Sequence, residues 1–381
     1  MGSVVVQRGT PAAGVVSALP SGESAVDLMG LPMSTDLAPE ATIGQCLSLL
    51  DADAFLVLRD GVLVCEEYGT PEAEHTPHPL MSVTKSVVGC LAGMLIADGL
   101  LDPDAAASGY VPDLARGGYA RATVRDLLDM RTGGDYRETY DDPAGELGRL
   151  GQICGWWPRT EPDLPGAVRP WLATIDRPAT PGGPFAYRSA DTEVLGWVIE
   201  TITGTALPEL VGRRLLSPIG AEADGVFEVD PAGDALASGG LALVPRDVVR
   251  LGRLVLDGGA VGEHQVLPSR FLKDTWTGQP DSVAAFHHRV GAAVGQDAPY
   301  PPKGLYRNQF WVLEQGRRRL LALGVHGQLL LVDGDARVVV VLLSNWPVPQ
   351  DPRRFDTGLA VALQVTRAIG EHPEHGLSLH G

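Results

Sequence analysis

Positive charge is scarce in this sequence, and lysine is the scarcest of its charged residues. The chain of 381 residues has 30 lysines and arginines against 47 aspartates and glutamates, which gives a formal net charge of −17 at pH 7. Three of those cations are lysines: Lys85, Lys273 and Lys303. A chain this acidic repels phosphates and anionic lipid headgroups, so we expect neither nucleic acid nor a membrane as a partner.

Cysteines and long apolar runs are also few. The four cysteines, Cys46, Cys65, Cys90 and Cys154, lie far apart and follow no metal-ligand spacing, so we expect them to be buried thiols. No apolar run approaches the ~20 residues that span a bilayer. Residues 1–22 lack the basic and apolar regions of a secretory signal. These absences predict a cytoplasmic globular protein.

Motifs for metals and cofactors are missing as well. The histidine pairs His75/His78 and His287/His288 have no carboxylate or cysteine at ligand spacing, which disfavours a zinc site. No glycine-rich phosphate loop follows a predicted strand. We therefore predict neither a metal nor a cofactor.

One of the rare lysines lies in the most informative stretch of the chain. Ser82 precedes Lys85 by three residues at the start of an apolar run, Val87–Ile96. If the run is helical, the two side chains project side by side from its first turn. A serine nucleophile beside a lysine base would have this arrangement. Lysine can lose its proton when buried and arginine cannot, which favours a functional role for a lysine kept in an arginine-rich chain.

Apolar runs predict strands at both ends of the chain and helices between them. Phe55–Leu58 and Val62–Cys65 flank Arg59-Asp60-Gly61, and Asp-Gly between two apolar runs is a strong hairpin signal. Further strands are predicted at Gln309–Leu313, Leu320–Gly324, Leu329–Val332 and Val338–Ser344. Helices are predicted at Pro39–Leu50, Val124–Met130, Asp191–Thr203, Arg246–Asp257 and Arg354–Ile369.

This order of elements indicates an α/β fold in which both chain ends build an antiparallel sheet flanked by helices. We assign residues 1–80 to an N-terminal arm and the first strands, 81–255 to an inserted helical domain, and 256–381 to the rest of the α/β domain. Asp102-Pro103 is expected to end the Ser82 helix. The stretch from Arg131 to Pro184 is predicted to be irregular, and its aromatic residues fit either a cleft wall or the packing of a long loop.

A second motif lies at Gly183–Ser189, just before a predicted helix. It contains Tyr187, whose hydroxyl could relay a proton. Together with Ser82 and Lys85, the pattern resembles the serine β-lactamase and penicillin-binding superfamily. It is most similar to the class C-like esterases and, more narrowly, to the aminohexanoate-dimer (nylon-oligomer) hydrolases. The segments that carry the resemblance are Met81–Lys85, Asp135–Pro143, Gly155-Trp156, Tyr187–Trp197, Ser238–Gly240, Asp257–Gly259 and Val325–Gln328.

The resemblance implies a mixed α/β domain, a helical domain and an active site between them. By this resemblance Ser82 is the nucleophile, Lys85 the general base and Tyr187 the proton shuttle. The backbone N–H groups of Ser82 and Val325 would form the oxyanion hole. The third motif of the superfamily, a K-T-G-like strand, falls on Ala322-Leu323-Gly324, which lacks its lysine and hydroxyl. That departure disfavours recognition of a β-lactam or a peptide carboxylate.

The resemblance also assigns cleft residues. Tyr140 matches a tyrosine placed at the substrate amide, and the segment of Val325 adds His326. Gly151 stands where relatives efficient on amides carry an aspartate for the substrate ammonium, and Ser238 stands where they carry an asparagine. Trp311 matches a cleft tryptophan, although packing in the core would explain it equally well.

These observations predict a serine hydrolase that cleaves small carboxylic esters, and amides less well, through an acyl-enzyme on Ser82. Two alternatives stay open. A transacylase would pass the same acyl group to an amine or alcohol acceptor with the same catalytic side chains, and an inactive homologue would keep the fold for binding alone. The expected partner is a small-molecule ester or amide. The sequence leaves the oligomeric state open, a dimer included.

Overall fold

The computed structural model describes residues 2–9, 16–176, 179–288 and 303–370. Its strands are β1 (Gly2–Val6), β2 (Pro32–Met33), β3 (Ala41–Thr42), β4 (Ala52–Arg59), β5 (Val62–Tyr68), β6 (His78–Pro79), β7 (Gly225–Val229), β8 (Leu241–Leu243), β9 (Ala260–Val261), β10 (His264–Gln265), β11 (Leu305–Arg307), β12 (Phe310–Val312), β13 (Arg319–Gly324), β14 (Gln328–Asp333) and β15 (Val338–Ser344). Its helices are α1 (Ile43–Leu49), α2 (Val83–Ala97), α3 (Ala107–Tyr110), α4 (Val124–Leu128), α5 (Glu146–Cys154), α6 (Val168–Leu172), α7 (Ser189–Thr203), α8 (Leu207–Val211), α9 (Pro245–Leu256), α10 (Ser269–Thr277), α11 (Pro280–His287) and α12 (Pro352–Gly370). Short 3-10 turns cover Pro71–Glu74 and Pro112–Arg116, and a π-helical turn covers Gly212–Leu216.

A seven-stranded antiparallel sheet joins the two ends of the chain. Its order is β11-β12-β13-β14-β15-β4-β5, so the predicted hairpin lies beside the last strand of the chain. Asp60 and Gly61 have φ angles of 48° and 83°, as a tight hairpin turn requires. Val57 of β4 pairs with Val340 of β15. The predicted α/β fold, with a sheet built from both chain ends, is confirmed.

Helices cover both faces of this sheet. Gly252 of α9 lies against Val339, and Gly358 of α12 lies against Leu342. Residues 339 and 342 of one strand point to opposite faces, because side chains alternate along a strand. All residues of β14 and β15 are therefore buried, which explains why their sequences are apolar without alternation. The domain boundaries at residues 80 and 255 stay a prediction. The helix α9 falls almost entirely within the predicted helical domain, yet it packs on the sheet.

A smaller sheet, with the strand order β1-β7-β8-β6, leads the chain to Ser82. β6 pairs with β8, and the N–H of Leu80 donates to the carbonyl of Leu241 at 2.8 Å. Ser82 follows three residues after Pro79, immediately before α2. The small sheet therefore fixes the backbone immediately before Ser82.

The helix α2 runs through the centre of the molecule. Its residues from Val83 to Leu95 are all buried, and a helix that is apolar all round belongs in a core. A Cβ on Gly89 would come within 2.4 Å of the carbonyl oxygen of Asn308, so the helix packs directly on the turn before β12. The helix ends at Asp98 rather than at Asp102-Pro103 as predicted.

The stretch predicted as irregular contains two helices, α5 and α6. The interior glycines of α5 and the proline of α6 concealed both in the sequence. Gly148 is needed because a Cβ there would come within 2.3 Å of the carbonyl oxygen of Pro143. The helix α5 ends at Gly155 with a φ of 83°, the left-handed C-terminal position that glycine favours. The expectation of irregular structure is wrong for these two segments.

Among the described residues, no single helix is long and apolar enough to cross a membrane. The helix pair Ser189–Thr203 and Leu207–Leu216 passes that test only when its two parts are taken together, and it is bent by 79°.

Candidate active site

Ser82 occupies a strained corner between the small sheet and α2. The preceding residue, Met81, has a φ of 48°, in the left-handed region that non-glycine residues seldom adopt. Strain of this kind is concentrated at functional sites. Ser82 is the residue immediately before α2, and its side chain makes no capping hydrogen bond. Its Oγ instead accepts a hydrogen bond from Lys85 Nζ at 2.8 Å.

Lys85 is 1% exposed and lies inside the core. Its Nζ also donates to the carbonyl oxygen of Ser238 at 2.7 Å. Burial lowers its pKa from 10.5 to about 8, while the carboxylates of Glu138 and Glu193 act in the opposite direction. At neutral pH roughly a tenth of the lysine is then the free amine that can accept a proton.

Tyr187 lies on the other side of Lys85. Lys85 Nζ is 5.1 Å from the centre of the Tyr187 ring. The tyrosine ring stacks on Trp311 with centroids 5.3 Å apart, and Tyr306 meets it edge-on. Tyr187 lies two residues before the start of α7, and the N–H of the preceding residue, Ala186, donates to the carbonyl of Met130 at 3.0 Å. The structure therefore brings together the three predicted catalytic side chains.

Trp311 lies behind Tyr187 in an aromatic cluster with Phe185, Tyr306 and Phe286. It is 7% exposed and is not among the described residues that line the cavity beside Ser82. The stacking of Trp311 on Tyr187 indicates that this tryptophan holds the tyrosine ring in place.

The predicted oxyanion groups meet at the end of β13. Ser82 and Val325 both line the same cavity. A Cβ on Gly324 would come within 2.6 Å of the carbonyl oxygen of Leu80, so only glycine lets β13 end against the turn that carries the serine. His326 follows with a φ of 61°, and its N–H is held by the carbonyl of Pro349 at 2.9 Å. The assignment of the two N–H groups to an oxyanion hole stays a prediction.

The cavity beside Ser82 has a volume of about 200 Å³. Four predicted cleft residues line it: Tyr140, Gly151, Ser238 and His326. The indole rings of Trp156 and Trp157 form part of its wall. A Cβ on Gly151 would lie 3.1 Å from the Trp157 ring, so any larger side chain there would press on that ring.

Sequence reasoning missed two carboxylates that line the cavity. Glu138 is buried and accepts hydrogen bonds from the N–H and hydroxyl of Ser189 at 2.8 and 2.6 Å and from the hydroxyl of Tyr140 at 3.1 Å. Glu228, on β7, accepts a hydrogen bond from Trp156 Nε1 at 2.9 Å. Burial raises the pKa of Glu228. Among the described residues, no lysine or arginine lines the cavity.

A third missed carboxylate, Glu193, lies on α7. It is 5% exposed and accepts hydrogen bonds from the backbone N–H groups of Ala237 and Ser238 at 3.0 and 2.9 Å. Burial raises its pKa from 4.5 to about 7. Its neighbour Asp191 is also buried, and accepts hydrogen bonds from Tyr119 and Thr132. The sequence of α7 has three carboxylates, Asp191, Glu193 and Glu200, and does not distinguish the two that the fold buries.

Known proteins are similar to this chain in sequence and in fold. The beta-lactamase family matches residues 50–364. The 6-aminohexanoate-dimer hydrolase of Paenarthrobacter ureafaciens is 35% identical over 318 residues, 83% of this chain and 78% of that protein. Esterase EstB of Burkholderia gladioli is 31% identical over 173 residues, 44% of this chain and 43% of the esterase.

A solved structure assigned as a 6-aminohexanoate-dimer hydrolase from Bacillus anthracis superposes with a TM-score of 0.85. It is 26% identical, and the superposition covers 98% of this chain and 92% of that one. The family match and the first relative each extend over most of the chain, including Ser82, Lys85 and Tyr187. The chain therefore belongs to the beta-lactamase family, in a branch of serine hydrolases whose relatives include esterases and aminohexanoate-dimer hydrolases.

Proposed function

We propose that this protein hydrolyses small carboxylic esters through an acyl-enzyme on Ser82. The observation that carries the proposal is the buried Lys85 amine, which lies 2.8 Å from Ser82 Oγ and whose pKa is lowered to about 8. A neutral amine at hydrogen-bond distance is a competent base for a serine hydroxyl.

The reaction would proceed in two halves. Neutral Lys85 accepts the Ser82 proton as Oγ bonds to the carbonyl carbon, and the N–H groups of Ser82 and Val325 hold the oxygen that becomes negative. The carbon–oxygen bond to the leaving alcohol then breaks, and the alcohol takes the proton held by Lys85 through Tyr187. In the second half, water passes a proton to Lys85 through Tyr187 as its oxygen bonds to the acyl carbon. The bond from that carbon to Ser82 Oγ then breaks, Oγ takes the proton back from Lys85, and the free acid leaves.

Esters are the favoured class because two cleft positions lack the side chains that the resemblance links to amides. The cavity has glycine at position 151 and serine at 238. An amide nitrogen must be protonated as it leaves, so amide cleavage depends more than ester cleavage on accurate placement of the substrate. The name of the Paenarthrobacter relative refers to an amide substrate. A comparison of ester and amide cleavage by this protein therefore tests the proposed preference for esters.

The charge of the cleft supports neutral or cationic substrates over anionic ones. Glu138 and Glu228 line the cavity, and among the described residues no lysine or arginine does, while His326 forms part of the wall. A carboxylate on the substrate would meet like charge at short range, which disfavours its binding.

The deciding experiment labels the nucleophile and then identifies the products. A fluorophosphonate should modify wild type but not Ser82→Ala. Ser86→Ala is the matched control, because Ser86 is a buried serine on the same helix whose hydroxyl donates to the carbonyl of Gln309. Equal labelling of Ser82→Ala would overturn the nucleophile, and no labelling of wild type would favour an inactive binding homologue.

Product analysis separates hydrolysis from acyl transfer. Short p-nitrophenyl esters are incubated with and without an amine acceptor, and the acid and amide products are quantified. Free acid as the main product at every acceptor concentration supports the esterase. Amide as the main product at millimolar acceptor would show a transacylase, which uses the same acyl-enzyme.

A further inference from the structure

Glu193 and Lys85 are connected through a single residue. The Glu193 carboxylate accepts the N–H groups of Ala237 and Ser238, and the carbonyl of Ser238 accepts Lys85 Nζ. The side chain of Ser238 was predicted to serve the cleft, but its backbone also links a buried acid to the buried base. The position of the Ser238 carbonyl, and with it the position of the amine, therefore depends on the carboxylate.

The buried carboxylate is costly for the fold. A charge taken out of water destabilises the native state unless hydrogen bonds replace its hydration. Both oxygens of Glu193 have such bonds, each from one backbone amide. Glutamine could not give each of the two backbone N–H groups its own oxygen, because its second terminal atom is an NH2 group, which donates rather than accepts. The two oxygens of the Glu193 carboxylate therefore satisfy two backbone N–H groups of the loop whose Ser238 carbonyl holds Lys85.

We propose that Glu193 is a positioning residue for the general base: it fixes the Ser238 carbonyl, which holds Lys85 Nζ on Ser82 Oγ. This inference rests on the proposed function of Lys85. The Lys85 amine has one hydrogen bond to the nucleophile and one to the loop. Loss of the loop contact would let the amine leave the serine.

Glu193 also affects the proton affinity of the base. Its negative charge favours protonated Lys85, as does that of Glu138. Burial, with a smaller contribution from Glu193, raises the pKa of Tyr136 and of Cys154 well above their usual range, so both stay neutral. Removing the charge of Glu193 should therefore make Lys85 easier to deprotonate while leaving it less well placed.

The test follows the rate of fluorophosphonate labelling of Ser82 as a function of pH in Glu193→Gln protein. The acid limb of the profile should move down by about one pH unit, the lower end of what a nearby charge does. The plateau rate should fall roughly tenfold, a part of the 10²–10⁴ that a general base contributes. A purely structural role would lower stability without moving the acid limb.

Asp191→Asn is the matched control. Asp191 lies on the same helix, is fully buried and has a pKa raised to about 7, yet its hydrogen bonds go to Tyr119 and Thr132 rather than to the Ser238 loop. Its profile should coincide with wild type. An unchanged profile in Glu193→Gln, or the same change in both variants, would overturn the inference.

Glu193→Asp keeps the charge but is one methylene shorter, and it decides the matter if Glu193→Gln does not fold. We expect an unmoved acid limb with a lower plateau, and an unchanged plateau would overturn the positioning role. Wild type provides the separate check on the proposed function. If wild type is not labelled at Ser82, the function fails; if it is labelled and the Glu193 variants behave like wild type, only this inference fails.

Discussion

At the scale of single residues, the site depends on one buried amine. Lys85 is the only lysine among the described residues that is buried; Lys273 and Lys303 are exposed. Burial lowers the pKa of Lys85 to about 8, so a fraction of it is the neutral amine at neutral pH. Of the three lysines, Lys85 is therefore the one suited to the role of the proposed base.

Lys85→Arg should be nearly as damaging as Lys85→Ala. Arginine keeps the positive charge but cannot give up its proton, so it cannot accept one from Ser82. We expect kcat/KM for a p-nitrophenyl ester to fall by about 10²–10⁴. Lys273→Arg, on the exposed side of α10, is the control and should keep full activity. Retention of most activity by folded Lys85→Arg protein would reduce the lysine to an electrostatic support.

Glu228→Gln should relax the selection against anionic substrates. Glutamine still accepts the hydrogen bond of Trp156, so the change removes charge with little change of shape. For an ester with a carboxylate tail we expect kcat/KM at pH 8 to rise about fivefold, since a nearby charge in accessible surroundings is worth ~1 kcal/mol. A neutral ester of the same length should be unaffected. Equal changes for both esters would contradict the electrostatic explanation.

Gly151→Asp should favour a substrate that carries an ammonium group. A charge-assisted contact is worth roughly 1.5–3 kcal/mol, or about 10–100-fold in kcat/KM. The structure adds a condition, because the new Cβ would lie 3.1 Å from the half-buried Trp157 ring, which must shift slightly. Gly151→Asn imposes the same steric demand without the charge. An equal gain for both variants, or efficient cleavage of an aminohexanoate dimer by wild type, would show that the substrate site is misplaced.

At the scale of elements, the candidate active site lies where three of them meet. The strand β13 ends at Gly324, the strand β6 leads into Met81, and α2 begins after Ser82. Both Met81 and His326 have left-handed backbone angles. The local strain on either side of Ser82 and Val325 is held in place by the sheet and the helix core.

Gly324→Ala should disrupt the site while leaving most of the fold intact. Its Cβ would lie 2.6 Å from the Leu80 carbonyl oxygen and 3.0 Å from the Met81 side chain, so the end of β13 must move away from Ser82. We expect kcat to fall by about 10²–10³, as on loss of one oxyanion donor. Gly109→Ala, where no atom lies within 4 Å of the added methyl group, is the control. Wild-type kcat in Gly324→Ala would show that close packing here is not required.

Elements with a strong sequence pattern could be predicted, and those set by tertiary contacts could not. The strands β4, β5 and β13–β15 were apparent as apolar runs, and Ser82, Lys85 and Tyr187 from their motifs. The helix α5 was missed because its glycines are required by packing against Pro143, which no local pattern reveals. Glu138, Glu193 and Glu228 were missed because a carboxylate becomes part of a site only when the fold buries it.

At the scale of the whole molecule, the buried acids link stability to pH. The pKa values of Asp191 and Glu193 are raised to about 7 by burial, so the native state binds protons more tightly than the unfolded chain. Their contribution to stability is therefore full below pH 4 and is lost as the pH rises through 7. Arginines lower the pKa values of Asp274 and Asp281. These two carboxylates therefore stabilise the native state above the ordinary pKa of aspartate, and their contribution is lost as the pH falls through their lowered pKa values.

Asp191→Asn should remove part of this dependence. We expect the free energy of unfolding of wild type to decline from pH 5 to pH 7 more steeply than that of the variant, because the variant lacks one group that must lose its proton. Urea unfolding at several pH values measures both slopes. Parallel slopes would mean that Asp191 stays ionised throughout this range.

The position of β15 between β14 and β4 has a consequence for biosynthesis. A chain still on the ribosome can form α2, with Ser82 beside Lys85, long before Val338–Ser344 has been translated. Until that strand arrives, β4 is paired with β5 alone, and the late hairpin of β13 and β14 has no connection to the early one. Pairings between residues this distant in sequence form slowly. The sheet that supports the proposed nucleophile should therefore remain incomplete until Val338–Ser344 has been translated.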